Sequence, residues 1–198
     1  EPVVAACSDG GWFVAWKDFD PDFLGNIYCA KVTAEGEVVW GEENRGLTVC
    51  TAPGVQENPV IIEDDNGGCI IAWLDQRGND RGNIFAMHVL TDGRIDPNWT
   101  ENGVVIVRAR DRQVNHDAIT DGNGGMIIVW RDFRRDGDTD VWAKRINPEG
   151  ELLWGEGAHV CDHEASQGPP KLSPDGEGGA FIVWADARNC DENDWDIF

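Results

Sequence analysis

The sequence predicts an all-β fold, a β-propeller built from four-stranded antiparallel blades, of which this chain supplies about three and a half. Three observations point there. One segment recurs four times without gaps, the apolar runs inside it have the length and composition of strands, and Gly-rich turn signals stand before each run. The segments are SDGGWFVAWKDFD (8 to 20), DNGGCIIAWLDQR (65 to 77), GNGGMIIVWRDFR (122 to 134) and GEGGAFIVWADAR (176 to 188). Their second shared glycines, Gly11, Gly68, Gly125 and Gly179, lie 57, 57 and 54 residues apart, a mean period of 56.

Each element of a unit follows from its residues. The runs 12 to 16, 69 to 74, 126 to 130 and 180 to 184 are rich in Ile, Val, Phe and Trp. They are too short for helices and apolar at consecutive positions, as strands covered on both faces are. The Asp-Gly and Asn-Gly-Gly clusters before them supply the positive φ of tight hairpins. A partner strand must therefore precede each run, at 2 to 6, 59 to 62 and, more polar, 118 to 120. A third strand is predicted at 26 to 33, 83 to 90 and 140 to 147, opening with Asn26-Ile27-Tyr28, Asn83-Ile84-Phe85 and Asp140-Val141-Trp142. Turns at 33 to 36, 91 to 93 and 147 to 150 send the chain back into a fourth strand. Trp40, Trp99 and Trp154, then Val49-Cys50, Ile106-Val107 and Val160-Cys161, then Gln56, Gln113 and Gln167 complete the repeat.

A sheet apolar on both faces must stack on its neighbours, and radial stacking gives a propeller. The expected division is blade 1 at 1–56, blade 2 at 57–113, blade 3 at 114–167 and a partial blade 4 at 168–198. Half a blade leaves sheet faces uncovered. The expectation is therefore a portion of a longer protein, or a chain that closes with another copy, two of which would give seven blades.

The whole array resembles tandem repeats of secreted and cell-surface bacterial proteins, whose units read approximately DGxGGxIIxWxDxR, DIYAxRI, NxxGxxLWG, GxxVC and QxxP. The third unit matches best, through Asp121-Gly122, Gly124-Gly125, Trp130, Asp132, Arg134, Asp140-Val141, Ala143, Arg145-Ile146, Asn147, Gly150, Leu153-Trp154-Gly155, Val160-Cys161 and Gln167. The first unit departs, with Asp20 in place of the Arg. The resemblance implies a propeller-like extracellular module, often part of a large multi-domain surface protein, and does not imply a catalytic centre.

Charge excludes some functions. With 16 Lys plus Arg against 37 Asp plus Glu the net charge is −21, which is wrong for a nucleic-acid binder that neutralises phosphates. No apolar stretch is long enough for a transmembrane helix, and the first residues lack a signal-peptide pattern. Six cysteines permit up to three disulfides, and with only four lysines and an acidic surface they point to an extracellular location. No Cys-x-x-Cys pair is present to suggest zinc or redox chemistry.

The recurring Trp, Asp and Arg at i, i+2 and i+4 (Trp73, Asp75, Arg77; Trp130, Asp132, Arg134; Trp184, Asp186, Arg188) lie on one strand face and are expected to hold the blade together. Oxygen ligands cluster in the loop that follows: Asp132, Asp136, Asp138 and Asp140 in the third unit, and Asp186, Asp191, Asn193, Asp194 and Asp196 in the fourth. Alternating carboxylates of this kind suit Ca²⁺, the one cofactor expected. Ser8, Ser166 and Ser173 lack a nucleophile elbow, and His88, His116, His159 and His163 share no metal spacing. The leading expectation is thus a non-catalytic interaction or structural module, not an enzyme. Its partners would be other protein domains, surface polymers, further blades or copies of itself. The alternatives are a carbohydrate-binding or glycan-cleaving propeller using aromatics such as Trp99, Trp142 and Trp195, and a subunit of an extracellular filament or sheath.

Overall fold

A computed structural model describes all residues except 1, 20–24, 42–44, 79–81, 135–137 and 189–194. The described chain is all-β. The first unit forms a sheet of β1 (Val3–Ala6), β2 (Trp12–Asp18), β3 (Asn26–Val32) and β4 (Leu47–Cys50), paired in chain order. The second repeats it with β5 (Gln56–Glu63), β6 (Cys69–Asp75), β7 (Asn83–Val89) and β8 (Val104–Val107). The third comprises β9 (Gln113–Thr120), β10 (Met126–Asp132), β11 (Asp140–Ile146) and β12 (Leu152–Cys161). In the fourth, β13 (Lys171–Pro174) pairs with β14 (Ala180–Val183), and β15 (Ala185–Asp186) pairs with β16 (Asp196–Ile197). All pairing is antiparallel, and the sheets form a partial, unclosed propeller-like array.

The first strands of the units lie side by side: β5 packs on β1, β2 and β3, β9 on β5, and β13 on β9. They are therefore the inner strands, and the outer strands lie farthest from the axis. Every residue of β6 and β7 is buried, because this sheet has a neighbour on both faces. Val4 and Trp12 at one end of the array, and Phe181, Val183 and Ile197 at the other, are exposed.

Expected and observed strands agree except at the inner and outer edges. The inner strands of the second and third units begin earlier than expected, at Gln56 and Gln113, each with a register shift near its start. The outer strands of the first two units begin later than the turn predicts. After a single bridge, Val32 to Val38 or Val89 to Ile95, the chain leaves the sheet before rejoining it. The detour places Trp40 and Trp99 against the turn of the next unit. A Cβ on Gly93 would stand 2.7 Å from Trp40 Cδ1, and one on Gly150 would stand 3.3 Å from Trp99. Trp99 Nε1 also donates to Pro148 O at 2.9 Å. Trp154 has no such turn to cover among the described residues, and it is 45% exposed.

The expected disulfides are not formed among the described residues. Cys7, Cys29, Cys50, Cys69 and Cys161 are free and buried, while Cys190 lies outside the described residues. Cys29, Cys50, Cys69 and Cys161 lie within the strands and Cys7 opens the β1–β2 turn, all as small buried residues. Cys50 and Cys161 instead accept from Arg77 Nη2 (3.1 Å) and Arg188 Nη2 (3.2 Å).

Candidate functional site at the inner rim of the third unit

Residues shared by every unit are occupied in holding it together. Trp73, Trp130 and Trp184 each donate through Nε1 to the aspartate two residues on, at 2.9, 2.8 and 3.0 Å. Those aspartates, Asp75, Asp132 and Asp186, also accept the amides of Arg77, Arg134 and Arg188 and pair with their guanidinium groups. Each guanidinium then lies over a ring of the third strand, 4.1 Å from the centroid of Phe85, and 4.0 Å from those of Trp142 and Phe198. The pattern read from sequence as structural is structural, and the cation–π contact is its hidden fourth member.

This bears on the expected calcium ligands. Both oxygens of Asp132 and of Asp186 are committed to Trp and Arg. Asp140 faces His159, with Nε2 at 3.4 Å. Asp138 is half-buried and Asp196 exposed, whereas Asp136, Asp191, Asn193 and Asp194 lie outside the described residues. Among the described residues no three His, Cys, Asp or Glu side chains converge as a metal cluster.

A second repeated pair stands at the hairpin turns. Asp64, Asp121 and Asp175 each accept two amides of the hairpin turn that they open. The third strand answers with a cation at one position: Lys31, His88 and Arg145. His88 bridges Asp64 (2.8 Å) and Asp96 (2.9 Å), and Arg145 meets Asp121 at 2.7 Å. In the first unit Cys7 stands where the others have Asp, so Lys31 pairs with Asp9 instead, at 2.7 Å.

Function is more informative where one unit breaks the pattern. At the start of the inner strands, the equivalent residues are Pro2-Val3, Asn58-Pro59-Val60, Asn115-His116-Asp117 and Pro169-Pro170-Lys171. Only the third unit carries an ionisable pair, His116-Asp117, where two others place Pro and Val. The backbone there is unchanged: Asn58 (φ 52°) and Asn115 (φ 53°) adopt the same left-handed conformation at the same bulge. The bulge re-aims the strand end, a device found at the rims of sheets and beside active sites. So His116 was substituted into a fixed frame and is not required by it.

His116 is buried, and the nearby backbone groups of Ala72 and Asn58 make no well-aligned hydrogen bond to either ring nitrogen. Burial pushes its pKa down to about 4, only partly offset by the backbone groups of Ala72 and Asn58. It is therefore a neutral imidazole at pH 7, with an unshared electron pair. With Pro2, Val3, Asn58, Pro59 and Asn115 it lines a cavity of about 350 Å³. Asp117, the next residue, accepts from Leu172 N at 3.1 Å and lies 3.4 Å from Lys171 Nζ. Asn58 and Asn115 also line a second cavity of about 460 Å³, where Glu57, Arg112, Arg131 and Phe133 appear. The two cavities thus meet at one rim.

No family model matches the sequence, and no curated protein matches it. Solved structures do resemble the fold. An endo-arabinase from Bacteroides thetaiotaomicron aligns over 100% of this chain and 72% of its own, with 12% identity and a TM-score of 0.56. A thermostable family-43 glycoside hydrolase aligns over 99% and 69%, with 11% identity and a TM-score of 0.59. An ulvan lyase bound to -[GlcA(1-4)Rha3S]- aligns over 99% and 56%, with 14% identity and a TM-score of 0.57.

At such identities the likeness is one of fold. It nonetheless overturns the leading expectation from sequence, a non-catalytic interaction module, together with the expectation that the chain is no enzyme. The three similar structures just described are named as glycan-cleaving enzymes, in line with the alternative expectation. The aromatics expected to serve that alternative need correction too. Trp99 is buried under the neighbouring turn, Trp142 is stacked on His159 with ring centroids 4.3 Å apart, and only Trp195 is exposed. Spacing alone could not tell a Trp that wedges between sheets from one that faces solvent. Recurrence does not reveal the inner-rim residues, because His116 stands out only as a position where the repeat fails.

Proposed function

We propose that this chain forms the larger part of a glycan-cleaving β-propeller whose site lies at the inner rim of the third blade. The observation that carries this reading is His116, which stands where two other units have Pro on the same backbone and lines the 350 Å³ cavity, with Asp117 next to it in the strand. The likeness of fold to arabinan-, xylan- and ulvan-cleaving enzymes supports it. Glycosidic cleavage needs groups that give and take protons beside the scissile bond. Asp117, the neutral His116 imidazole and Glu57 are the candidates, and Asn58 and Asn115 offer amides suited to sugar hydroxyls. Substrate polymers of this kind lie outside the cell, so the proposal includes an extracellular location. No described helix is long and apolar enough to cross a membrane.

The test uses the full chain against a panel of neutral and acidic polysaccharides, with product release as the readout. Cleavage of at least one polymer is expected. His116→Pro restores the residue of the other units, and Asp117→Asn keeps an acceptor for Leu172 N–H. Both should melt with the parent and lose on the order of 100-fold in turnover. Cleavage of nothing, or undiminished cleavage by both variants, would overturn the proposal.

A further inference from the structure

The cavity next to His116 holds two arginines without acidic partners. Arg131 leaves β10 half-buried, and its Nε is buried with no hydrogen-bond partner. Arg112, just before β9, is exposed, and among the described residues no carboxylate reaches either guanidinium within ion-pair distance. Both cations lie against the ring of Phe133, 4.8 Å for Arg112 and 5.0 Å for Arg131. The ring face eases the partial burial of Arg131, but it satisfies none of the in-plane N–H donors.

In a chain with 37 acidic residues, two adjacent unpaired arginines call for an explanation. The repeat removes the structural one. The residue after the core Trp is Lys17, Leu74, Arg131 and Ala185 in the four units, and the residue after the inner-strand Gln is Glu57, Val114 and Gly168. Across the first seam Lys17 meets Glu57 at 3.5 Å, and across the second the pair is Leu74 and Val114. Across the third, Arg131 would be answered by Gly168, which has no side chain. The cation is present in the third unit without the acidic residue that answers Lys17 in the first seam. Burial and the charge of Arg112 both hold the Arg131 pKa below its ordinary value.

We infer that Arg112 and Arg131 form an anion subsite that receives a carboxylate or sulfate group of an acidic glycan, next to the His116 rim. Guanidinium groups bind planar and tetrahedral oxyanions through paired donors. The amides of Asn58, Asn115 and Gln76 in the same 460 Å³ cavity match the hydroxyls of the sugar that carries the anion. With a net charge of −21 the chain does not attract polyanions at long range, so selectivity rests on this local pair. The inference deepens the glycan reading and depends on it.

The test measures binding of the full chain to polygalacturonate, neutral arabinan and polyglutamate, for the parent, Arg131→Leu and the double variant Arg112→Gln/Arg131→Leu. Leu stands at the equivalent position of the second unit, and melting curves check the fold. Polygalacturonate is expected to bind on the order of tenfold tighter than arabinan, with salt weakening it and the double variant abolishing the preference. Equal binding of both glycans in all three proteins would overturn the subsite and leave the glycan reading standing. Binding of polyglutamate as strong as polygalacturonate would overturn the assignment to sugars. Failure to bind any glycan would overturn both readings.

Discussion

His88 shows how much one buried side chain can set. Burial disfavours its imidazolium, yet carboxylates of Asp64 and Asp96 on its two nitrogens outweigh that cost and raise its pKa above the ordinary value. For a raised pKa the stabilisation is complete below the unfolded value, about 6.5, and is lost as pH rises through the folded one. Asp64, with a lowered pKa, acts the other way: its contribution is present above the ordinary carboxylate value and lost on acidification. Thermal melts should therefore show greater stability near about pH 6 than near about pH 8.5. His88→Gln should abolish that difference and cost about 3–5 kcal/mol, since two buried carboxylates lose their cation. An unchanged pH dependence in the variant would show that His88 stays neutral. His116 is the opposite case, a histidine with no carboxylate, kept neutral by burial.

At the scale of the element, the unit of construction is the core strand with its Trp-x-Asp-x-Arg clamp. The i, i+2, i+4 spacing was enough to place all three side chains on one face and to assign them a structural role. It could not show that the Arg also covers the ring of the third strand, because strand register decides that contact. Asp132 is fully buried and serves Trp130, the Arg134 amide and the Arg134 guanidinium together. Asp132→Ala is expected to destabilise by about 3–5 kcal/mol in chemical denaturation. A loss below about 1 kcal/mol would mean that the clamp is no stronger than an exposed ion pair. The same clamp engages Asp132 and Asp186, two of the residues expected from sequence to hold Ca²⁺.

For the whole molecule, the stacking of sheets depends on a wedge and a socket. Trp99 is buried on the Gly150 turn of the next unit, where φ is 83° and a Cβ would meet the indole at 3.3 Å. Trp99→Ala should remove about 3–5 kcal/mol by opening a cavity between sheets. Gly150→Ala should also destabilise, through backbone strain and crowding. Trp154→Ala, at the equivalent but exposed position, should cost much less. Equal losses at Trp99 and Trp154 would refute the wedge.

The sequence by itself determined the period, the strand order within each unit and the need for sheets to stack, because these follow from local apolar runs and turn residues repeated along the chain. The same regularity hid the site. Only the tertiary structure put Asn58 and Arg131 around one rim with Arg112, Asn115 and His116, since Arg131 comes from the paired strand and Asn58 from the neighbouring sheet. It also decided which tryptophans are wedges, why the cysteines stay unpaired, and which charges lack a partner. Those outcomes depend on distances between separate sheets, and a linear spacing does not encode them.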